Sequence, residues 1–144
     1  MRAWLLVLAM AAPGCGREID DRTADGALTL FLDALERSEH DRSALAEAYR
    51  LLDPESRHRL AERARGAVAL GARPYEPWEM IADGQPVLRF APRRGGGLRV
   101  RSGPSPDVCS VIVTGAHDGQ RAEVPMRREG AAWRVVLQIP APDG

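Results

Sequence analysis

VCSVIVTGAHDGQRAEVPMRREGAAWRVVLQIP, residues 108–140, holds three alternating runs of side chains divided by two turn signals. Alternation sends successive side chains to opposite faces of a strand, so each run reads as a strand with one buried face. Cys109, Val111 and Val113 share a face in the first run; Trp133, Val135, Leu137 and Ile139 share one in the last, with Arg134 and Gln138 behind them. Asp118-Gly119 is a strong hairpin signal and Glu129-Gly130 supplies the second turn. Upstream, PVLRFAP at 86–92 and GLRVRSG at 97–103 extend the series, joined by the flexible RRGGG at 93–97. The spacing predicts an antiparallel sheet of four to five strands.

Before residue 86 the period is helical. Leu28, Phe31, Leu32 and Leu35 recur at i, i+3, i+4 and i+7 and predict one buried stripe, with Asp33 and Arg37 as an outward pair one turn apart. Leu45, Ala48, Tyr49 and Leu52 repeat the spacing, with Asp41 or Ser43 available as a cap. A third helix is expected from Asp53 as N-cap and Pro54 at the first helical position to Gly71 as the stop. Glu55 pairs toward Arg59 there, and Leu60, Ala64, Ala67 and Val68 form its expected buried face. A short helical turn follows, from Pro77 to Gly84.

Helices first and strands afterwards predict an α+β domain, with N-terminal helices packed on a curved antiparallel sheet. A length of 144 residues suits one domain. The order FLDALERSEHDRSALAEAYRLLDPESR (31–57), then RAEVPMRREGAAWRVVLQIP (121–140), resembles the NTF2-like superfamily, and within it small bacterial lipoproteins of that cone-shaped fold. The resemblance implies a domain over 25–140 with a tail at 141–144. The superfamily includes isomerases and dehydratases as well as pure binding or accessory domains, so its fold does not decide function.

At the other end, MRAWLLVLAMAAPGC presents a basic start, an apolar run from Ala3 to Ala12 and a small-residue exit, the pattern of an export signal. The run is shorter than the ~20 apolar residues that cross a bilayer. Cys15 directly after Gly14 resembles a bacterial lipoprotein signal, although Ala12 and Pro13 stand where that pattern usually has an aliphatic and a small residue. The resemblance implies a signal peptide at 1–14, lipidation of Cys15, a tether at 15–24 and a protein held at the cell envelope, facing the periplasm from the outer membrane. The alternative is an incidental cysteine after a conventional signal. Lipidation would leave Cys109 as the remaining thiol, expected buried and inert.

All 20 basic residues are arginine and balance 20 acids, yet residues 16–84 carry 10 Arg against 15 acids while residues 85–134 carry 9 against 4. A basic sheet face could attract nucleic acid or anionic lipid, but no aromatic residues interleave with the arginines to stack bases, so solvated charge is the reading and no nucleic-acid partner is expected. His40, His58 and His117 are scattered without metal-ligand spacing. RRGGGLR lacks the Lys-Ser/Thr of a phosphate loop. No catalytic residue, metal site or cofactor is assigned; Asp107 and Glu123 are the acids in the sheet region. Tyr75, Trp78 and Trp133 either line a pocket or close the core. The expectation is therefore a lipid-anchored, non-enzymatic accessory or binding module with an envelope protein as partner; the alternative is a small-molecule isomerase or dehydratase acting in an NTF2-like pocket.

Overall fold

Alanine sets the position of the first helix. A computed structural model of the chain describes residue 16, residues 18–81 and residues 88–139. In it, α1 spans Ala24–Ser38, and its buried residues include Ala24, Ala27, Leu28, Phe31 and Ala34. Alanine at three of these positions lets the helix backbone approach the sheet closely. The centre of the buried face is thereby turned away from the expected Leu28, Phe31, Leu32, Leu35 stripe, and Leu32 and Leu35 are only half-buried. The Thr23 hydroxyl caps the helix, accepting from the Gly26 N–H at 3.2 Å. Gly26 is required there, because a Cβ at that position would collide with the Asp20 carbonyl oxygen.

The second helix, α2 at Ala44–Arg50, begins after Ser43, whose side chain makes no capping bond; Asp41 instead accepts from the Ser43 N–H and hydroxyl. The expected Asp33–Arg37 pair is replaced by one between helices, in which Arg37 donates two hydrogen bonds to Glu47. A carboxylate on a facing helix meets both guanidinium nitrogens, a geometry that one a turn away on the same helix does not match. The third helix, α3 at Pro54–Ala69, has Asp53 as N-cap, accepting from the Ser56 N–H, and Gly71 follows it at φ +87°. Ser56, Leu60 and Ala64 form its buried face. Ala67 is half-buried and Val68 is 46% exposed, against expectation, because the last turn of α3 runs past the body it packs on. A 3-10 turn at Pro77–Ile81 packs on α2 and α3.

Among the described residues the sheet has four strands, β1 Leu98–Ser102, β2 Val108–Thr114, β3 Arg121–Glu129 and β4 Ala132–Val135, ordered β1-β2-β3-β4 and antiparallel throughout. Three helices cover one face. Cys109, Val111 and Val113 pair with Met126, Val124 and Ala122, and Val135 pairs with Met126, so these side chains point together at Leu28, Phe31, Leu52 and Leu60. Side chains of this size contribute about 1.5–3 kcal/mol each when fully buried. Between β3 and β4 only Gly130 and Ala131 intervene; Gly130 has φ +62° and Ala131 does not, the pattern of a type II′ turn.

PVLRFAP is not a fifth strand over its described part, residues 88–92. Pro92 has no N–H to donate, and the segment meets the sheet only where Pro92 bridges Gly115 and the Arg93 N–H donates to the Thr114 carbonyl at 2.8 Å. Gly95 and Gly96, both at positive φ, then turn the chain back so that β1 starts at Leu98.

The two sheet edges differ. Along β4, the Trp133 N–H donates to the Asp21 carbonyl at 2.7 Å, the Val135 N–H to Leu51 at 2.8 Å, and the Asp53 N–H to Val135 at 3.0 Å. Arg134 adds an ion pair with Asp21 at 2.6 Å. Part of the segment read as a tether is thus docked on the body from Asp20 onward. Among the described residues β1 pairs only with β2, and its Val100, although on the helix-covered face, stays 47% exposed in the cleft it lines with Trp133.

Candidate functional site

Residues of the chain that carry candidate chemistry fall into separate places. Cys15 lies outside the described residues. Trp133 is buried on β4 with the Arg128 guanidinium 5.1 Å from its ring centroid, and it lines a small cleft with residues 22–25, Val100 and the 102–106 loop. Tyr75 lies under Arg73 at 4.1 Å, and Trp78 is in the adjoining 3-10 turn, which packs against α2 and α3. The cleft at Trp133 is lined by neither Tyr75 nor Trp78.

The acids of the sheet are surface groups. Glu123 accepts from the Ser110 hydroxyl at 2.6 Å and pairs with Arg101 at 3.3 Å; Asp107 is exposed, and its backbone carbonyl accepts from the Arg128 N–H. Asp53 is the fully buried carboxylate among the described residues. Its Oδ1 caps α3 at 3.1 Å from the Ser56 N–H, and its Oδ2 faces Arg127 Nη1 at 3.5 Å. Of the histidines, His58 lies 3.3 Å from Glu62 on the same helix, the His117 backbone N–H donates to the Gln120 side chain, and all three are exposed. No group of three metal-ligating side chains converges, and no helix is long and apolar enough to cross a membrane, among the described residues. Burial pushes the Cys109 thiol up from its ordinary value, with the Arg128 charge opposing, so the buried sulfur stays protonated at neutral pH.

A longer feature lies on the outer side of α1. There a groove of about 850 Å³ runs between the helix and residues 88–98. Its floor is apolar, from Leu32 and Leu35 on α1 and Leu88, Phe90 and Leu98 opposite, all half-buried. Asp25, Asp33, Glu36 and Glu39 rise along the α1 wall, and none of them has an ion-pair partner among the described residues. The facing wall carries Arg93 and the backbone of Gly95, Gly96 and Gly97.

Sequence reading missed this groove: Leu32 and Leu35 do pack against the core, as their place on the α1 stripe implies, but their outer sides are left open beside residues 88–98. The signal was present. Apolar residues of α1, counting the alanines and Leu30, spread over roughly 200° of the helix, wider than the ~100° that one packed face needs. Chemically the arrangement can hold an apolar surface bearing positive charge; it offers no nucleophile or general base aimed into an enclosed space. Comparison with known protein families, curated proteins and solved structures returned no match to the chain.

Proposed function

We propose that the chain is a lipid-anchored, non-enzymatic binding module of the bacterial cell envelope, built on an NTF2-like domain and facing the periplasm from the outer membrane. The observation that carries this reading is the short distance between anchor and body. Asp21, hydrogen-bonded to the last strand, follows Cys15 by six positions. At ~3.5 Å per residue the globule stands within roughly 20 Å of the acylated sulfur. Two or three acyl chains, at ~0.8 kcal/mol per buried methylene, make attachment effectively permanent. A protein working there meets envelope partners and not nucleic acid.

The non-enzymatic part of the reading is supported by how the inner space and the acids are used. An isomerase or dehydratase of this fold needs a carboxylate open to an apolar cavity. The helix-facing side of the sheet is instead filled by Leu28, Phe31, Met126 and Val135, and Asp53 is occupied in capping α3.

Replacing the cysteine tests the anchor. In the native host, Cys15→Ala is expected to move the protein from the detergent-extracted membrane fraction to a soluble or uncleaved form, with loss of the acyl mass from the wild-type N-terminus. Unchanged fractionation and unchanged intact mass would reject the anchor.

A further inference from the structure

We propose that the groove between α1 and residues 88–98 docks an extended segment of a partner polypeptide that carries both apolar and cationic side chains. This names the partner chemistry of the binding module above and rests on that reading, but not on lipidation.

Three properties of the groove select the occupant. Its length suits an extended chain: Asp25 to Glu39 spans about 21 Å at 1.5 Å per helical residue, room for roughly six residues of extended chain at ~3.3 Å each. Its floor disfavours a purely polar ligand, because Leu32, Leu35, Phe90 and Leu98, though packed against the core on one side, stay partly open to water along the groove. Its charge excludes an acidic one. Asp25, Asp33, Glu36 and Glu39 lie on one wall without ion-pair partners among the described residues, whereas Glu47 on α2, Glu55 on α3 and Glu123 and Glu129 on β3 are each matched by an arginine. Lysine or arginine suits that wall, since its stem lies along the apolar floor while its head reaches the carboxylates.

A second copy of the chain is a poorer fit. A two-fold arrangement pairing the free β1 edges about Val100 would set Arg99 against Arg101 of the other copy, and like charges directly opposite are destabilising. It would also turn two acidic walls toward one another.

The test uses the full acylated chain in a nonionic detergent and a fluorescein-labelled octapeptide of alternating Lys and Leu, read by fluorescence anisotropy. Binding is expected to weaken with salt and to be at least tenfold tighter than that of Glu-Leu or Lys-Ser octapeptides. The double variant Glu36→Lys/Glu39→Lys should lose at least tenfold in affinity while keeping its far-UV spectrum, as should Leu32→Ser. Glu62→Lys, an equally exposed acid on α3, should bind as wild type. Equal retention of the Glu-Leu peptide, wild-type binding by the double variant, or an equal loss in Glu62→Lys would overturn the proposal. So would concentration-dependent self-association that the double variant abolishes, which would assign the groove to a second copy. The intact mass of the same sample reports the anchor independently, so failure of peptide binding and failure of lipidation are read separately.

Discussion

At Asp53 the backbone N–H donates to Val135, Oδ1 caps α3 through the Ser56 N–H, and Oδ2 lies 3.5 Å from Arg127, itself 3.7 Å from Glu55. One short side chain at a junction of strand and helix thus serves both. Asp53→Ala removes the cap and is expected to cost about 1–2 kcal/mol in urea unfolding, whereas Asp53→Asn keeps an acceptor and costs less; equal losses would show that the charge facing Arg127 matters more than the cap. Cys109 gives a pH-dependent prediction. Its folded-state value is raised above the ordinary 9.0 by burial, so its contribution to stability is complete below about pH 9 and is lost as pH climbs through the raised value. Alkylation of the folded protein at neutral pH should accordingly be slow, and should accelerate when urea exposes the sulfur. Rapid labelling without denaturant would place the thiol at the surface.

Among the elements, α1 and α2 are joined by Arg37 and Glu47, whose hydrogen bond and attraction hold the Glu47 carboxyl below its ordinary 4.5. A lowered carboxylate stabilises above its ordinary value and loses that effect as pH falls through the lowered one. Melting measured between pH 6 and pH 3 should therefore drop less steeply in Glu47→Gln than in wild type; parallel curves would remove the pair from consideration. On β4, Trp133→Ala should cost ~3 kcal/mol or more for a ring this deeply buried, and wild-type melting would contradict its burial. The four strands and the ends of α3 were legible because their signals are local: alternation, Asp-Gly and Glu-Gly turns, Asp53-Pro54 at one end and Gly71 at the other; the last strand, however, stops at Val135, and the alternation through Leu137 and Ile139 continues outside the sheet. The face of α1 and the fate of residues 88–92 were not, since each is decided by a neighbour distant in sequence. Alanine reads as weakly apolar yet fills the centre of the α1 interface, and Leu32 and Leu35 become groove floor only once residues 88–98 pass alongside. Tyr75, Trp78 and Trp133 likewise signal burial, but not which side of the molecule each one occupies.

For the molecule as a whole, helical and strand halves of opposite charge are tied by backbone bonds from residues 21, 51 and 53 to β4 and by the Arg57–Glu129 and Asp21–Arg134 pairs. That predicts a single cooperative transition. Unfolding followed by far-UV dichroism and by tryptophan fluorescence should coincide, with Trp133 reporting the sheet and Trp78 the helical side; separated midpoints would mean the halves melt independently. The bond from Trp133 to Asp21 also fixes an order of events. The edge of the sheet is closed by residues synthesised well before the strand they act on, so these long-range bonds cannot form on a growing chain until Trp133 is available. A polypeptide carried unfolded through a translocation pore would keep that clasp undone throughout its passage. It would fasten only on the far side, within a few residues of Cys15, where the proposed anchor would sit.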